Sequence, residues 1–400
     1  MSSQVPLWQD EPYRPRPALD GEVRADVCVV GAGVGGLATA RRLLDAGLSV
    51  VVLDRHEVAS GASGRNGGFF IAGAAPMYHD TRRLWGRERA AAIHRATLEA
   101  QREMLAVAGE VGARGHFRLD GMLRLAVDEA EADDVRAHAA ALAEDGFPGE
   151  LVAPGDLPAP LARPGRAGLL LPHDGSVHPV RWLRALATAL EARGARVFER
   201  SPVTGPPVVE GDGVRVDTAA GVVSCDRAVV AVDGDLAALV PSAAAVRPRR
   251  LNMLATAPVG RTVLPSPVYA RYGYEYVHQT ADGRIALGGF SDLDGEASWT
   301  SRPEVSAPVQ ARLDRWLAEE LGVDAPVTHR WAGVVGFAAD PVPRCGPVPG
   351  TGGRVLALGG YNGTGHVQAW VASRTVAGLV TGAPAGGGDA VAALYDAVDA

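Results

Sequence analysis

The chain predicts a two-part architecture of class α/β + α+β. A parallel-sheet nucleotide domain, discontinuous in sequence, carries an inserted, mostly antiparallel β domain. Three observations predict this. An apolar strand runs into Gly31-x-Gly33-x-x-Gly36 and a helical pattern near the start of the chain. A second apolar strand, 354–359, runs into another glycine-rich turn and helix near its end. The stretch between them, 249–299, is strand-rich. Strand–helix alternation at both ends of a strand-rich middle implies one domain interrupted by another. At 400 residues the chain exceeds one small core.

Residues 1–22, Pro-rich and polar, read as an arm along the surface. Val27–Val30 is the first strand, and Gly31 permits the tight turn after it. Gly33 lets the backbone approach a pyrophosphate, and Gly36 lets helix and strand pack closely. Leu37, Ala40, Leu43 and Leu44 give helical periodicity up to Gly47. Val50–Leu53 is the second strand, and Asp54 at its end can accept hydrogen bonds from a ribose. The helix N-terminus offers free N–H groups and partial positive charge to phosphates.

The spacing of Leu84, Ile93, Leu98, Met104, Leu105 and Val107 predicts one helix over 82–114. A strand over 121–127, a helix over 129–145 and a Pro/Gly-rich crossing loop over 148–166 follow. His178-Pro179 opens a helix that stops at Gly194. Short strands are predicted at Arg196–Glu199, Val214–Thr218 and Val222–Ser224, then a buried parallel-type strand at Ala228–Val232. Helices are predicted over 308–321 and 366–380, with a flexible tail at Gly386–Gly388.

The net charge of −7 gives no electrostatic reason to bind nucleic acid or an acidic membrane. No apolar run reaches the ~20 residues that span a bilayer, and no signal peptide is visible before Pro17. Cys28, Cys225 and Cys345 lie far apart without metal-ligand spacing, which suggests a reducing, cytoplasmic setting. The chain has no lysine, so Schiff-base, pyridoxal-phosphate and P-loop lysine chemistries are excluded.

After Asp54 comes a loop of small residues, Ser60-Gly61-Ala62-Ser63-Gly64-Arg65-Asn66-Gly67-Gly68. Alone it reads equally as a flexible surface loop or as a site of close approach by a bulky planar ring. With the glycine motif it resembles the D-amino-acid-oxidase-like (DAO) family of FAD-dependent oxidoreductases, nearest the γ-glutamylputrescine oxidase-like amine oxidases. Leu7-Trp8, Asp174…His178-Pro179, Asp282-Gly283-Arg284 with Gly288-Gly289, Trp331-Ala332-Gly333, Asp340…Pro343…Gly346 and Gly359–Gly365 match the family in order. The resemblance implies a glutathione-reductase-like FAD domain over 20–85, 172–245 and 338–385. The substrate domain would then cover 86–171 and 246–337.

It implies non-covalent FAD held by Gly31, Gly33, Gly36, Asp54, Arg55, Ala62, Ser63, Arg65, Asn66 and Gly67. Val203 would touch the adenine through its backbone. Gly360, Tyr361, Asn362, Gly363, Thr364 and Gly365, leading into a helix, would face the flavin's pyrimidine edge. Cys345 stands where the family usually has an aliphatic residue.

Tyr272, Tyr274, Tyr276 and His278 alternate, so in a strand they share one face. That face is either an aromatic wall for an amine or domain core; the resemblance favours the wall. It makes Tyr274, Tyr276 and His278 the candidate catalytic residues. His79, His173 and His366 read as structural, and Trp331 as packing at a domain junction. Arginines that clamp an α-carboxylate in related amino-acid oxidases are replaced by His278, Val335 and Asn362, with Arg271 or Arg330 as possible substitutes. A lysine that helps some relatives use O₂ is replaced by Ala286.

The expected reaction is oxidation of a neutral amine without an α-carboxylate to an imine, by hydride transfer to the flavin N5. O₂, giving H₂O₂, or another acceptor would take the electrons. An amino-acid oxidase or dehydrogenase and a non-catalytic flavin-binding module are the alternatives.

Overall fold

The computed structural model describes residues 2–163, 165–338, 340–382 and 395–399; the Gly386–Gly388 tail lies outside them. Two eight-stranded sheets and a three-stranded one organise these residues.

The first sheet is the nucleotide-domain sheet. Gly21–Val30 pairs in parallel with Val50–Leu53 on one side and Gly221–Val230 on the other. Arg196–Phe198 and Val355–Gly359 extend it in parallel. Its strands are continuous apolar runs because helices cover both faces. The helix Val34–Asp45 buries Val34, Leu37 and Leu43 against it, beside the C-terminal helix Gly365–Thr381. Short crossovers bring both glycine-rich turns to the same end of this sheet, where ligands of open parallel sheets bind.

Two expected strands, Val222–Ser224 and Ala228–Val232, form one ten-residue strand, Gly221–Val230. It is continuous because its halves serve different partners. Val222–Cys225 pairs with the antiparallel Gly213–Asp217, and Ala228–Val230 with Val355–Ala357. The single helix expected over 82–114 is two, Tyr78–Trp85 and Arg87–Glu110. Gly86 breaks it at φ +82°, a conformation a side chain opposes.

The second sheet runs Val327–Phe337, Arg247–Thr256, Ile285–Gly289, Glu275–Gln279, Val268–Ala270, Met122–Ala126, Ala167–Leu171, Glu150–Val152. All neighbours are antiparallel except Val268–Ala270 with Met122–Ala126. Val327–Phe337, eleven residues long, carried no strand expectation. Its apolar positions are diluted by Gly333, Gly336 and Thr328.

The aromatic strand is shorter than its alternation suggests. Arg271, Tyr272 and Gly273 take φ of +47°, +56° and +89°, so the chain reverses there and the strand begins at Glu275. Glu131 accepts the Tyr272 backbone N–H at 2.7 Å and Asp134 accepts its hydroxyl at 2.9 Å, which fixes the reversal. Tyr272 and Tyr274 therefore leave the common face and are exposed, while Tyr276 and His278 stay on the strand.

Candidate FAD and substrate site

A cavity of about 290 Å³ lies between the two large sheets. One wall is the N-terminus of helix Val34–Asp45, with Gly33, Val34 and Gly35, and the loop residues Ala62, Ser63, Arg65, Asn66 and Gly67. A second wall is Tyr361, Asn362, Gly363, Thr364, Gly365 and His366, at the N-terminus of the last helix. The opposite wall is one face of the second sheet, with Arg249, Leu251, Tyr269, Tyr276, Gly333, Val335 and Phe337.

The loop is pinned from several elements. Ser63 Oγ accepts the Val34 N–H at 3.0 Å, and Asn66 closes its own turn through Gly68 N–H and Ser63 C=O. Trp331 Nε1–H donates to Arg65 C=O at 3.0 Å. Arg65 spends its guanidinium on Ser60 C=O and Ala332 C=O, and burial weakens its hold on charge. Asp54 receives the N–H groups of Ala32 (2.7 Å) and His56 (2.8 Å), so it staples the first glycine turn. Burial raises its carboxyl above the usual range.

The donor set and shape fit a dinucleotide with a planar ring. A Cβ on Gly33 would sit 2.8 Å from Ser63 Oγ, and one on Gly36 would overlap Gly31 C=O. Tyr361 Oη is buried, lines the cavity, and has no partner among the described residues. Two helix N-termini face the same cavity, each with partial positive charge.

The predicted residues divide. Gly33, Ala62, Ser63, Arg65, Asn66, Gly67 and Tyr361 through Gly365 line the cavity with Tyr274 and Tyr276. Gly31, Gly36, Asp54 and Gly360 stand behind that lining and shape it. Arg55 is exposed and paired with Asp235 at 2.6 Å. Val203 bridges to Thr218 and is not part of this lining.

His278 does not face the cavity. Its Nε2 is 2.9 Å from Gly67 C=O, and its ring stacks on Trp8 at 5.8 Å. Burial pushes its pKa down to about 4, so it is neutral and supports the loop from behind. Arg271 is engaged by Glu275 and Asp292, and Arg330 by Gln310 and Asp314; neither lines the cavity. Cys345 is buried outside the lining, its thiol pushed up to about 12 by burial.

Among the lining residues that carried no site expectation, Asp233, Arg249, Tyr269 and His366 stand out. Asp233, at φ +45°, accepts Gly336 N–H (2.9 Å) and Gly360 N–H (3.0 Å), joining both sheets to the last turn. Burial lifts its pKa to about 6. Arg249 lies over Trp299 and Phe337 and, among the described residues, donates only to Ser298 Oγ at 3.3 Å. Tyr269 stands beside Tyr276 in register. His366, read as structural, lines the cavity with neither ring nitrogen partnered among the described residues and a pKa lowered to about 4 by burial. The period-two row Arg249, Leu251, Met253 was a legible signal for Arg249.

The model of the DAO family, described as FAD dependent oxidoreductase, matches residues 26–379. The chain is 29% identical over 389 residues to the probable oxidoreductase OrdL of Rhizobium meliloti, covering 93% of this chain and 86% of that protein. It is 26% identical over 387 residues to the gamma-glutamylputrescine oxidoreductase of Escherichia coli, covering 92% and 87%. Among solved structures, glycine oxidase from Geobacillus kaustophilus superposes with a TM-score of 0.75 at 22% identity, over 90% of this chain and 95% of that one. Iminodiacetate oxidase from Chelativorans sp. BNC1 gives 0.70 at 18% identity, over 90% and 96%.

Proposed function

This chain belongs to the DAO family of FAD-dependent oxidoreductases, and from that premise we propose that it oxidises a small amine lacking an α-carboxylate to the imine. The coarser statement, an FAD-dependent oxidoreductase acting on amines or amino acids, follows from the family and its relatives. Bound FAD supplies the acceptor for the hydride leaving the substrate α-carbon. In this reading O₂ takes the electrons and becomes H₂O₂. Asp54 serves the ribose, Val203 the adenine, and Gly360 to Gly365 the pyrimidine edge.

The observation that carries the proposal is Tyr276. Its hydroxyl faces the cavity opposite the Ser63–Gly67 loop and has no partner among the described residues. Burial raises its pKa, so it stays a phenol at neutral pH. Its oxygen can accept an N–H from a neutral amine and leave the nitrogen lone pair free to assist hydride loss. Tyr269 and Phe69 pack against the Tyr276 ring and make that position apolar. An alkylamine titrates near ~10, and arriving neutral at pH 7 takes about 4 kcal/mol. Desolvation by this aromatic wall favours the neutral form, so no strong base is required. Val335 and Asn362, which line the cavity, are themselves uncharged.

An α-amino acid is the second reading, and Arg249 favours it, since its guanidinium reaches the lining nearly free of partners. Anaerobic bleaching of the bound FAD, read across carboxylate-free amines, glycine, sarcosine and D- and L-amino acids, tests both. Bleaching by amines and by none of the amino acids supports the first; the reverse supports the second. A protein that holds FAD and is bleached by neither class overturns both.

A further inference from the structure

Arg124 lies on the cavity face of the second sheet, two strands from Tyr276. Arg124 is in register with Tyr269, and Tyr269 with Tyr276. At ~4.8 Å per strand their backbones are about 10 Å apart. The Arg124 side chain is 6% exposed. Its guanidinium makes no hydrogen bond or ion pair with any described residue, and Nε is buried without a partner.

That isolation is unusual, because a buried cation ordinarily has a partner. Two carboxylates, Asp174 and Glu131, lie near enough to act on its charge without bonding to it. Asp174 Oδ1 receives Ala72 N–H at 2.8 Å and Gln101 Nε2–H at 3.0 Å. Glu131 receives the N–H groups of Val127 and Tyr272.

Arg124 opens instead onto a side chamber of about 40 Å³. Ile71, Ala75, Tyr269 and Thr364 line both this chamber and the main cavity, so the two adjoin. The chamber is large enough for a few water-sized groups. Two further polar groups there lack partners: the Tyr269 hydroxyl and His138 Nδ1. A guanidinium, a phenol and an imidazole nitrogen, none hydrogen-bonded to a described residue, converge there beside Asp174, whose carboxyl burial lifts to a pKa of about 7, and the space fits a carboxylate. A carboxylate is the ligand that a planar guanidinium matches best.

We infer that the Arg124 chamber is a carboxylate subsite that holds the acidic end of a substrate whose amine lies under Tyr276. The inference rests on the amine-oxidation reading only for the position of the nitrogen. The substrate class is then an ω-amino carboxylate or a longer amine ending in an acid, with the charge remote from the oxidised carbon.

The test is calorimetric binding to the FAD-loaded protein. The ligands are ω-amino carboxylates from glycine to ω-aminooctanoate, n-alkylamines of matched length, and sodium acetate. Wild type is expected to bind an intermediate-length amino carboxylate at least about tenfold more tightly than its matched alkylamine. Arg124→Met removes that preference and Arg124→Lys restores part of it. Tyr269→Phe, which leaves the charge in place, reduces it.

Arg124→Met is also expected to fold and melt no lower than wild type, since it removes a buried charge that no hydrogen bond or ion pair with a described residue compensates. A preference that survives in Arg124→Met, or one absent from wild type, overturns the subsite. A lower melting temperature in Arg124→Met with wild-type preference in Tyr269→Phe makes Arg124 a structural residue and overturns it as well. Acetate binding that depends on Arg124, with no gain from an attached amine, overturns the substrate assignment in favour of a free anion. If no amine or amino acid bleaches FAD, the amine-oxidation reading fails while the calorimetry still decides the subsite.

Discussion

Trp8 and Asn66, 58 residues apart, are joined by a hydrogen bond from the indole N–H to the backbone carbonyl at 2.8 Å. The N-terminal arm thereby holds the loop that lines the cavity. Trp8 also stacks on His278, whose Nε2–H donates to Gly67 C=O one residue further on. His278 is therefore a positioning residue. Its change to Phe is expected to weaken FAD binding by about tenfold, on the scale of one buried hydrogen bond. The pH profile of kcat should not move, because a group with a pKa near 4 does not titrate between pH 6 and 9. Flavin fluorescence on titration with FAD, beside a pH–rate profile of both proteins, measures the two effects.

Gly33 tests the cradle itself. Its φ of −82° suits any residue, so Gly33→Ala carries no backbone strain. The added methyl would press on Ser63 Oγ at 2.8 Å, the oxygen that caps Val34 N–H. Melting of the apo-protein should change little, while the FAD dissociation constant rises roughly tenfold or more. Equal affinity in the two proteins would mean that no ligand approaches this glycine.

The half of the cavity built on the glycine turns was legible because its geometry is local. Gly31, Gly33, Gly36 and Asp54 work within one strand–turn–helix–strand unit, so spacing alone constrains them. The substrate half is set by pairing across the second sheet, which a single sequence does not state. Tyr272 to His278 alternate perfectly in sequence, yet three successive positive φ values at Arg271–Gly273 cut the alternation in two. Arg249 and Tyr269 reach the cavity through register with Val335 and Tyr276, strands 86 and 7 residues away in the chain. His366 resembled any helix-starting histidine until the turn before it was placed against the cavity.

Asp174 makes stability depend on pH. Full burial lifts its pKa to about 7, against an unfolded value near ~3.9. With the folded value raised, its contribution is fully present below pH ~4 and is lost as pH rises through about 7. The difference between the limits is on the order of 4 kcal/mol. Asp174→Asn keeps the oxygen that receives Ala72 N–H and Gln101 Nε2–H and removes the titration. Urea unfolding should show equal stability at acid pH, with the variant increasingly the more stable from pH 5 to 8. A gap that stays constant over this range would contradict the assignment.

Arg249 and Tyr276 separate the two substrate readings. Arg249 is held over the rings of Trp299 and Phe337, with one long hydrogen bond to Ser298. Arg249→Met keeps that stacking surface and deletes the charge. If the substrate carries an α-carboxylate, the loss of a bidentate, charge-assisted contact raises its KM by roughly ten- to a hundredfold. If it does not, the KM for amines changes less than about threefold, since the deleted charge then has no partner on the substrate. Tyr276→Phe should act differently. It leaves the wall apolar but removes the oxygen that accepts the amine N–H, so kcat falls about tenfold or more while KM moves little. Steady-state kinetics of both variants, on an amine and on an amino acid of equal length, resolve the pattern. A rise in KM with kcat unchanged for Tyr276→Phe would remove Tyr276 from the positioning of the reacting nitrogen.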